Sequence, residues 1–196
     1  MADSNIRRVA VIGRFQPFHN GHLHLIRQIL KESDEVVVVI GSAQLNYTFE
    51  NPFTAGERIL MIRAALLEGG IDLSRIFIIP IVDEEDNALW FPKLVSMLPS
   101  FSALYSGNRL VATLASFHLE VKSPKFVNKK RFNGTYIRCK IRRGEKWHHL
   151  VSRSVFDMIH TIDGVDRLRA LAKHESLEND KMSDLNRTFS PRNKTS

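Results

Sequence analysis

A Rossmann-like, doubly wound α/β fold is what this sequence predicts: one parallel sheet of five strands, helices on both faces and further helices after it. Three observations predict it. Short runs rich in Val and Ile alternate five times with stretches of helical periodicity, a pattern that implies right-handed crossovers and a parallel sheet. The run from Glu35 to Gly41 is apolar throughout after its first residue, as a strand buried on both faces must be. Several of the runs end in loops that carry glycine and polar side chains, and in open α/β sheets ligands bind at that edge.

The elements follow in order. Val9 to Ile12 reads as the first strand, and Leu23, Ile26, Ile29 and Leu30 give the spacing of an amphipathic helix after it. The strand at Glu35 to Gly41 ends in Ser42-Ala43-Gln44. Thr54-Ala55-Gly56-Glu57 has capping-box spacing and starts a helix through about Leu67, which Gly69-Gly70 stops. Arg75 to Val82 reads as the next strand, with Pro80 expected where pairing is already finishing. A helix to about Leu98 follows, then a strand over Phe101 to Tyr105 and a helix from Asn108 to about Ser116. His118 to Lys122 is the fifth strand. Asn133 to Arg138 opens another helix, and Trp147 to about Ile162 and Val165 to Lys173 read as the last two. Residues 1–173 are therefore expected to form one domain. Residues 174–196, rich in Ser, Asn, Asp and Lys with isolated apolar residues, are expected to be a disordered tail.

Composition narrows the class. Hydrophobic content of 43% and charged content of 25% are those of a globular protein. The longest wholly apolar run, Val36 to Ile40, is far too short to span a membrane. No apolar segment follows basic residues near Met1, so no secretory signal is expected and the chain is read as cytoplasmic. A single cysteine, Cys139, excludes an internal disulfide and a cysteine-based zinc cluster. The formal net charge of +7 favours polyanionic partners, nucleic acid or a triphosphate nucleotide alike. Residues 174–196 hold four acids and four bases, so the excess is carried by residues 1–173.

The chemistry concentrates in the turn Gly13-Arg14-Phe15-Gln16-Pro17-Phe18-His19-Asn20-Gly21-His22, between the first strand and the first helix. A helix N-terminus offers unpaired N–H groups and the positive end of the macrodipole, which together favour anions. Gly13 and Gly21 let a ligand approach there. His19 and His22 fall on one face of the first turn, where two imidazoles could donate hydrogen bonds to phosphoryl oxygens. Arg14 adds a cation of fork geometry. There is no Walker-type loop, and the glycine spacing is wrong for the dinucleotide fingerprint. A second candidate is Asn133-Gly134-Thr135-Tyr136-Ile137-Arg138. There a capping residue opens a helix whose free N–H groups could take outer phosphates, with Arg138 one turn in. A third is Asn87 and Trp90 after a strand end, suited to reading a carboxamide and stacking on its ring, beside the acidic Asp83 to Asp86.

His19-Asn20-Gly21-His22 after a strand is similar to the His-x-Gly-His signature of the nucleotidyltransferase superfamily. The longer string from Gly13 to His22 resembles the archaeal-type nicotinamide-nucleotide adenylyltransferase family. Four more segments carry the resemblance: residues 41–44, residues 51–58, Asp86 to Trp90, and Tyr105-Ser106-Gly107-Asn108. Gly134-Thr135-Tyr136-Ile137-Arg138 matches the closing Ser-Gly-Thr-x-Ile/Val-Arg motif, with Asn133 in place of the usual serine. Asn46-Tyr47 stands where Ser-His is common, and Glu50 where some relatives carry a basic residue. Charge for that loop would then come from Arg58 or a neighbouring subunit, or be unnecessary.

The resemblance implies transfer of AMP from ATP, with Mg²⁺, to nicotinamide mononucleotide. ATP would be held by Gly13, Arg14, Phe15, His19, Gly21, His22, Asn133, Gly134, Thr135 and Arg138. His19, His22, Arg14 and Arg138 would carry catalysis, His22 making the transition-state contact. Ser42, Asp83, Asn87 and Trp90 would bind the mononucleotide, and no protein metal ligand is expected. A homo-oligomer, specifically a hexamer, is implied; no membrane or nucleic-acid partner is expected. The alternatives are another acceptor (nicotinate mononucleotide, phosphopantetheine or FMN) or a nucleotide-sensing or RNA-binding module without catalysis.

Overall fold

The computed structural model describes residues 6–124, 128 and 130–188, with side chains as far as residue 177. Five strands, β1 (Arg8–Gly13), β2 (Glu35–Ile40), β3 (Ile76–Pro80), β4 (Ala103–Ser106) and β5 (Glu120–Lys122), form one sheet. The sheet is parallel throughout, in the order β3-β2-β1-β4-β5. Helices α1 (Asn20–Ile29), α2 (Ala55–Glu68), α3 (Asn87–Met97) and α4 (Arg109–Ser116) make the crossovers. Helices α5 (Gly134–Arg142), α6 (Arg153–Thr161) and α7 (Gly164–Thr188) follow the last strand.

The sequence explains why the sheet is covered on both sides. In β2, Val36, Val38 and Ile40 join the apolar layer that includes α1, α2, α5, α6 and the start of α7. Val37 and Val39 point the other way, into the layer with Leu94 of α3 and Ala115 of α4. Alternate residues of one strand thus feed two cores, so the strand must be apolar at every position. Pro80 is the final residue of β3, opposite Ile40, where a missing N–H costs least.

The strand order reverses direction between β1 and β4. The connection from β1 runs to β2 on one side and that from β4 runs to β5 on the other, opening a crevice between them at the carboxyl ends of the strands.

Two readings of the sequence need correction. The stretch from Trp147 to Ile162 is not one helix. A 3-10 turn over His148–Leu150 and an extended Val151 precede α6. Glu68 accepts the N–H groups of Arg153 (3.0 Å) and Ser154 (2.6 Å), and Ser152 Oγ accepts that of Val155 (3.4 Å). These bonds satisfy the orphan donors of a new helix start, so the chain begins again at Arg153. Likewise the final helix does not stop at Lys173. It continues to Thr188. Glu, Leu, Lys and Met supply six of the eleven residues between 175 and 185, and no proline or glycine stands there to end the helix. Residues 189–196 lie outside the described residues.

One side chain sets the loops at the mouth of the crevice. Arg58 occupies the buried face of α2 with Met61, Ile62, Ala65 and Leu66, and is itself fully buried. Its guanidinium donates to the carbonyls of Arg14 (3.1 Å), Gly41 (3.0 Å), Ser42 (3.2 Å) and Ala43 (3.3 Å), and its Nε to that of Thr54 (3.3 Å). One cation thus holds together the loops leaving β1 and β2. Burial lowers its pKa to about 10, with Asp83 acting the other way. Arg58 is a structural residue, not a source of charge for a ligand. Its replacement by methionine would strand several buried carbonyls, each costly without a partner. Arg58→Met is expected to lower the urea-unfolding free energy by about 3 kcal/mol or more. An unchanged unfolding midpoint would contradict this role.

Candidate active site

A cleft of about 610 Å³ opens at the reversal point, within the size range of small-molecule sites. Its walls are the ends of β1 and β4, the loops after β2 and β3, the first turn of α1 and the start of α5. The turn after β1 enters it in an unusual conformation. Phe15 has φ of 53°, and its ring lies where a side chain at Gly13 would be, 3.1 Å from that position. Gln16 fixes the turn: its amide donates to the Phe53 carbonyl (2.8 Å) and accepts the Phe53 N–H (3.0 Å). This paired bond ties the first loop to the segment before α2.

His19 and His22 make the decisive arrangement. His19 is the N-cap of α1, and its Nδ1 accepts the N–H of His22 at 3.3 Å. His22 Nδ1 accepts the N–H of His19 at 3.3 Å. This is a capping box built from two histidines instead of serine and glutamate. The rings stack with centroids 3.5 Å apart and planes 13° apart. An imidazole whose Nδ1 accepts a backbone N–H carries its proton on Nε2. Each ring therefore keeps an Nε2–H donor, and both residues line the cleft. Phe15 and Phe18 flank His22, with centroids 4.8 and 5.3 Å from its ring.

The same enclosure keeps both rings neutral. Burial lowers the pKa of His19 to about 4, opposed by its backbone hydrogen bond. Burial, and then the proximity of His19, hold His22 well below its ordinary value. Positive charge at this end comes instead from Arg14 and Arg138. Arg14 lies on the rim with its side chain 52% exposed, 3.6 Å from Glu50. Arg138 is buried, donating to the Gln16 carbonyl at 2.8 Å and to Thr135 Oγ1 at 3.2 Å. Its Nε is buried with no partner. Burial, and secondly repulsion from Arg14, lower its pKa to about 10, so it stays a cation at neutral pH.

The start of α5 differs from expectation. Asn133 Oδ1 accepts the N–H groups of Thr135 (2.8 Å) and Tyr136 (3.3 Å), so these donors are not free for phosphate. Asparagine reaches both because its acceptor lies one bond further out than the oxygen of serine. Gly134 is needed for packing: a Cβ there would lie 2.9 Å from the Gln16 carbonyl oxygen. Gly21 is likewise a packing residue, since a Cβ would meet that of Phe132 at 2.7 Å. Both glycines let chain segments, rather than ligand, approach closely.

On the opposite wall, Asp83 accepts from Ser42 Oγ and Gln44 Nε2, each at 3.0 Å, and its N–H returns to Gln44 Oε1 at 3.1 Å. Ser42, Asp83 and Trp90 line the cleft. Asn87 does not; it is the first residue of α3 and is exposed. Lys93 and Phe132, which sequence reading missed, and Gln16 and Asn108, which it placed in motifs without a binding role, also line the cleft. The Gln16 bonds left no periodic trace. Arg58 did leave one, an arginine standing at an apolar position of the α2 stripe.

Among the described residues no three His, Cys, Asp or Glu side chains group as a metal site. Both Nδ1 atoms are engaged by backbone N–H, and both Nε2 atoms carry protons. The donor set therefore suits an anion, or a cation already carried by one, rather than a bare metal.

Residues 10–140 match the cytidylyltransferase-like family. A nicotinamide-nucleotide adenylyltransferase of Pyrobaculum aerophilum is 44% identical over 87% of this chain and 97% of its own length. Another, from Methanococcus vannielii, is 46% identical over 84% of this chain and 94% of its own. Among solved structures, a bifunctional NMN adenylyltransferase/ADP ribose pyrophosphatase from Francisella tularensis, complexed with AMP and a manganese ion, superposes with a TM-score of 0.77. It is 25% identical over 95% of this chain, which spans 58% of that protein.

The neutral histidines make stability depend on pH in a definite direction. With His19 at about 4 when folded and near 6.5 when unfolded, the unfolded chain binds the extra proton between those values. Unfolding free energy is therefore expected to fall as pH drops from about 6.5 towards 4, by up to about 3 kcal/mol from this residue. His19→Asn keeps a good cap but removes the titration. Urea melts should show a shallower pH slope for this variant; an identical slope would contradict the assignment.

Proposed function

The chain belongs to the cytidylyltransferase-like family and, within it, to the nicotinamide-nucleotide adenylyltransferases, and on that premise we propose how its cleft transfers AMP from ATP to nicotinamide mononucleotide. The phosphate oxygen of the mononucleotide attacks the α-phosphorus of ATP in line. The bond from that phosphorus to the oxygen bridging to the β-phosphate breaks as the new one forms. NAD and pyrophosphate are the products. The nucleophile is already anionic at neutral pH, so no protein base or covalent intermediate is required.

Catalysis then consists of alignment and stabilisation of charge. The observation that carries this reading is the reciprocal histidine capping box. It presents two neutral N–H donors, already oriented, to a polyphosphate. Neutral donors bind phosphoryl oxygens without an ion-pair partner to release, and need no reorganisation as charge builds. His22, packed between two phenylalanines, makes the transition-state contact, and His19 holds an adjacent oxygen. Arg138, anchored through Gln16 and Thr135, offsets charge from below, and Arg14 from the rim. Gly134 and Thr135 bring the end of α5 alongside. Ser42, Asp83 and Trp90 form the mononucleotide side of the cleft, Trp90 stacking on the pyridine ring. Asn87 contributes only if it turns inward from its exposed position.

Mg²⁺ would enter with the nucleotide, held by its phosphates and water, and would offset their charge alongside Arg14 and Arg138. The proposal extends to a cytoplasmic homo-oligomer, specifically a hexamer. Among the described residues no helix is long and apolar enough to cross a membrane.

Pyrophosphate release with ATP and Mg²⁺ tests the reading directly. Turnover is expected with nicotinamide mononucleotide, and silence with it from folded protein would overturn the proposal. His22→Ala is expected to lower kcat by about 10²-fold or more, the scale for losing one preorganised donor. A change of only a few-fold, with the fold intact by circular dichroism, would remove His22 from the mechanism.

A further inference from the structure

One acid stands at the phosphate end of the cleft with no part in the reaction described above. Glu50 lies in the loop between β2 and α2, its carboxylate 3.6 Å from Arg14 Nη1. The two side chains are 52% and 70% exposed, free to separate. The backbone around Glu50 is held. Phe49 N–H donates to Glu175 of α7 at 2.8 Å, and the Phe49 ring faces the guanidinium groups of Arg138 (5.8 Å) and Arg142 (5.4 Å). On either side, Arg167 of α7 lies 5.0 Å from the Tyr47 ring and donates to the Pro52 carbonyl at 3.3 Å. Arg167 is fixed in turn by Glu57 at 2.8 Å. The final helix therefore keeps the loop beside the cleft, while the Glu50 side chain can swing.

Glu50 also shares a field with both cationic side chains, since Arg14 disfavours and Glu50 favours the charged form of Arg138. With both imidazoles neutral, Arg14 and Arg138 supply the positive charge lining this end of the cleft, and Glu50 and Glu175 both favour the charged form of Arg138. The geometry points to Glu50 as an internal competitor for Arg14. Its carboxylate takes the guanidinium that the outer phosphates of a triphosphate would use, and it yields when they arrive. Such a residue weakens triphosphate binding and eases departure of pyrophosphate. A pair this exposed contributes little to folding. Its effect on a ligand of several negative charges is larger, because each charge feels the carboxylate, and it is screened by salt.

This inference rests on the proposed docking of polyphosphate beside Arg14, and equilibrium binding separates the two. The probes are the Mg²⁺ complex of α,β-methylene-ATP, and AMP, which lacks outer phosphates. Glu50→Gln keeps the side chain's shape and removes its charge. It is expected to tighten binding of the triphosphate analogue about 3- to 10-fold at low ionic strength. The gain should shrink at higher salt, leave AMP unchanged and disappear in an Arg14→Gln background. Equal affinities of wild type and Glu50→Gln, or a gain that persists without Arg14, would overturn the role of Glu50 alone. No binding of the analogue by folded wild type would overturn the functional reading and this inference together.

Discussion

The reciprocal bond between His19 and His22 is the interaction on which the rest of the site depends. A helix start leaves N–H groups without partners, and most proteins satisfy them with an oxygen. Here two imidazoles do so for each other's backbone. Closing the helix and fixing the tautomer are then a single event. Once each Nδ1 accepts a hydrogen bond from a backbone N–H, the ring proton sits on Nε2, and the stacked, enclosed rings resist a second proton. Stability and chemistry draw on the same two bonds. A residue that capped the helix equally well, such as serine, would leave the cleft without a donor at that height.

Around this box, buried cations hold the loops through backbone carbonyls. Arg58 gathers the segments after β1 and β2, and Arg138 takes the carbonyl of Gln16. Gln16 in turn pairs with Phe53. Each contact joins segments distant in sequence, so the cleft's geometry is imposed by tertiary packing rather than by local turns. Loops alone would not place two phosphate groups in line to the accuracy that such a reaction demands. The final helix continues this pattern, since Glu175 and Arg167 reach the loop that carries Glu50.

The fold was legible because strand burial and helix periodicity leave strong one-dimensional traces. Val36 to Ile40 could only be a central strand, and Thr54-Ala55-Gly56-Glu57 formed the capping box its spacing indicated. The start of α6 was missed because its cap comes partly from Glu68, 85 residues earlier than Arg153. The extent of α7 was missed because polar composition describes solubility better than helix propensity. In the site, His19, His22, Arg14 and Arg138 came together as their motifs suggested, and Ser42 met Asp83. What spacing could not convey was which groups were already used. Asn133 takes donors that a bare helix start would offer, Gly21 and Gly134 make room for protein, and Asn87 is exposed and outside the cleft lining.

The tautomers of His19 and His22 are the most direct measure of whether the capping box governs the site. Long-range ¹H–¹⁵N correlation spectra of the imidazoles, assigned through single His19→Asn and His22→Asn variants, report them without substrate. Both rings are expected as neutral Nε2–H forms at pH 7, with His19 staying neutral until the pH approaches about 4. An Nδ1–H form, or an imidazolium at neutral pH, would contradict the reciprocal box and remove the oriented neutral donors from the mechanism.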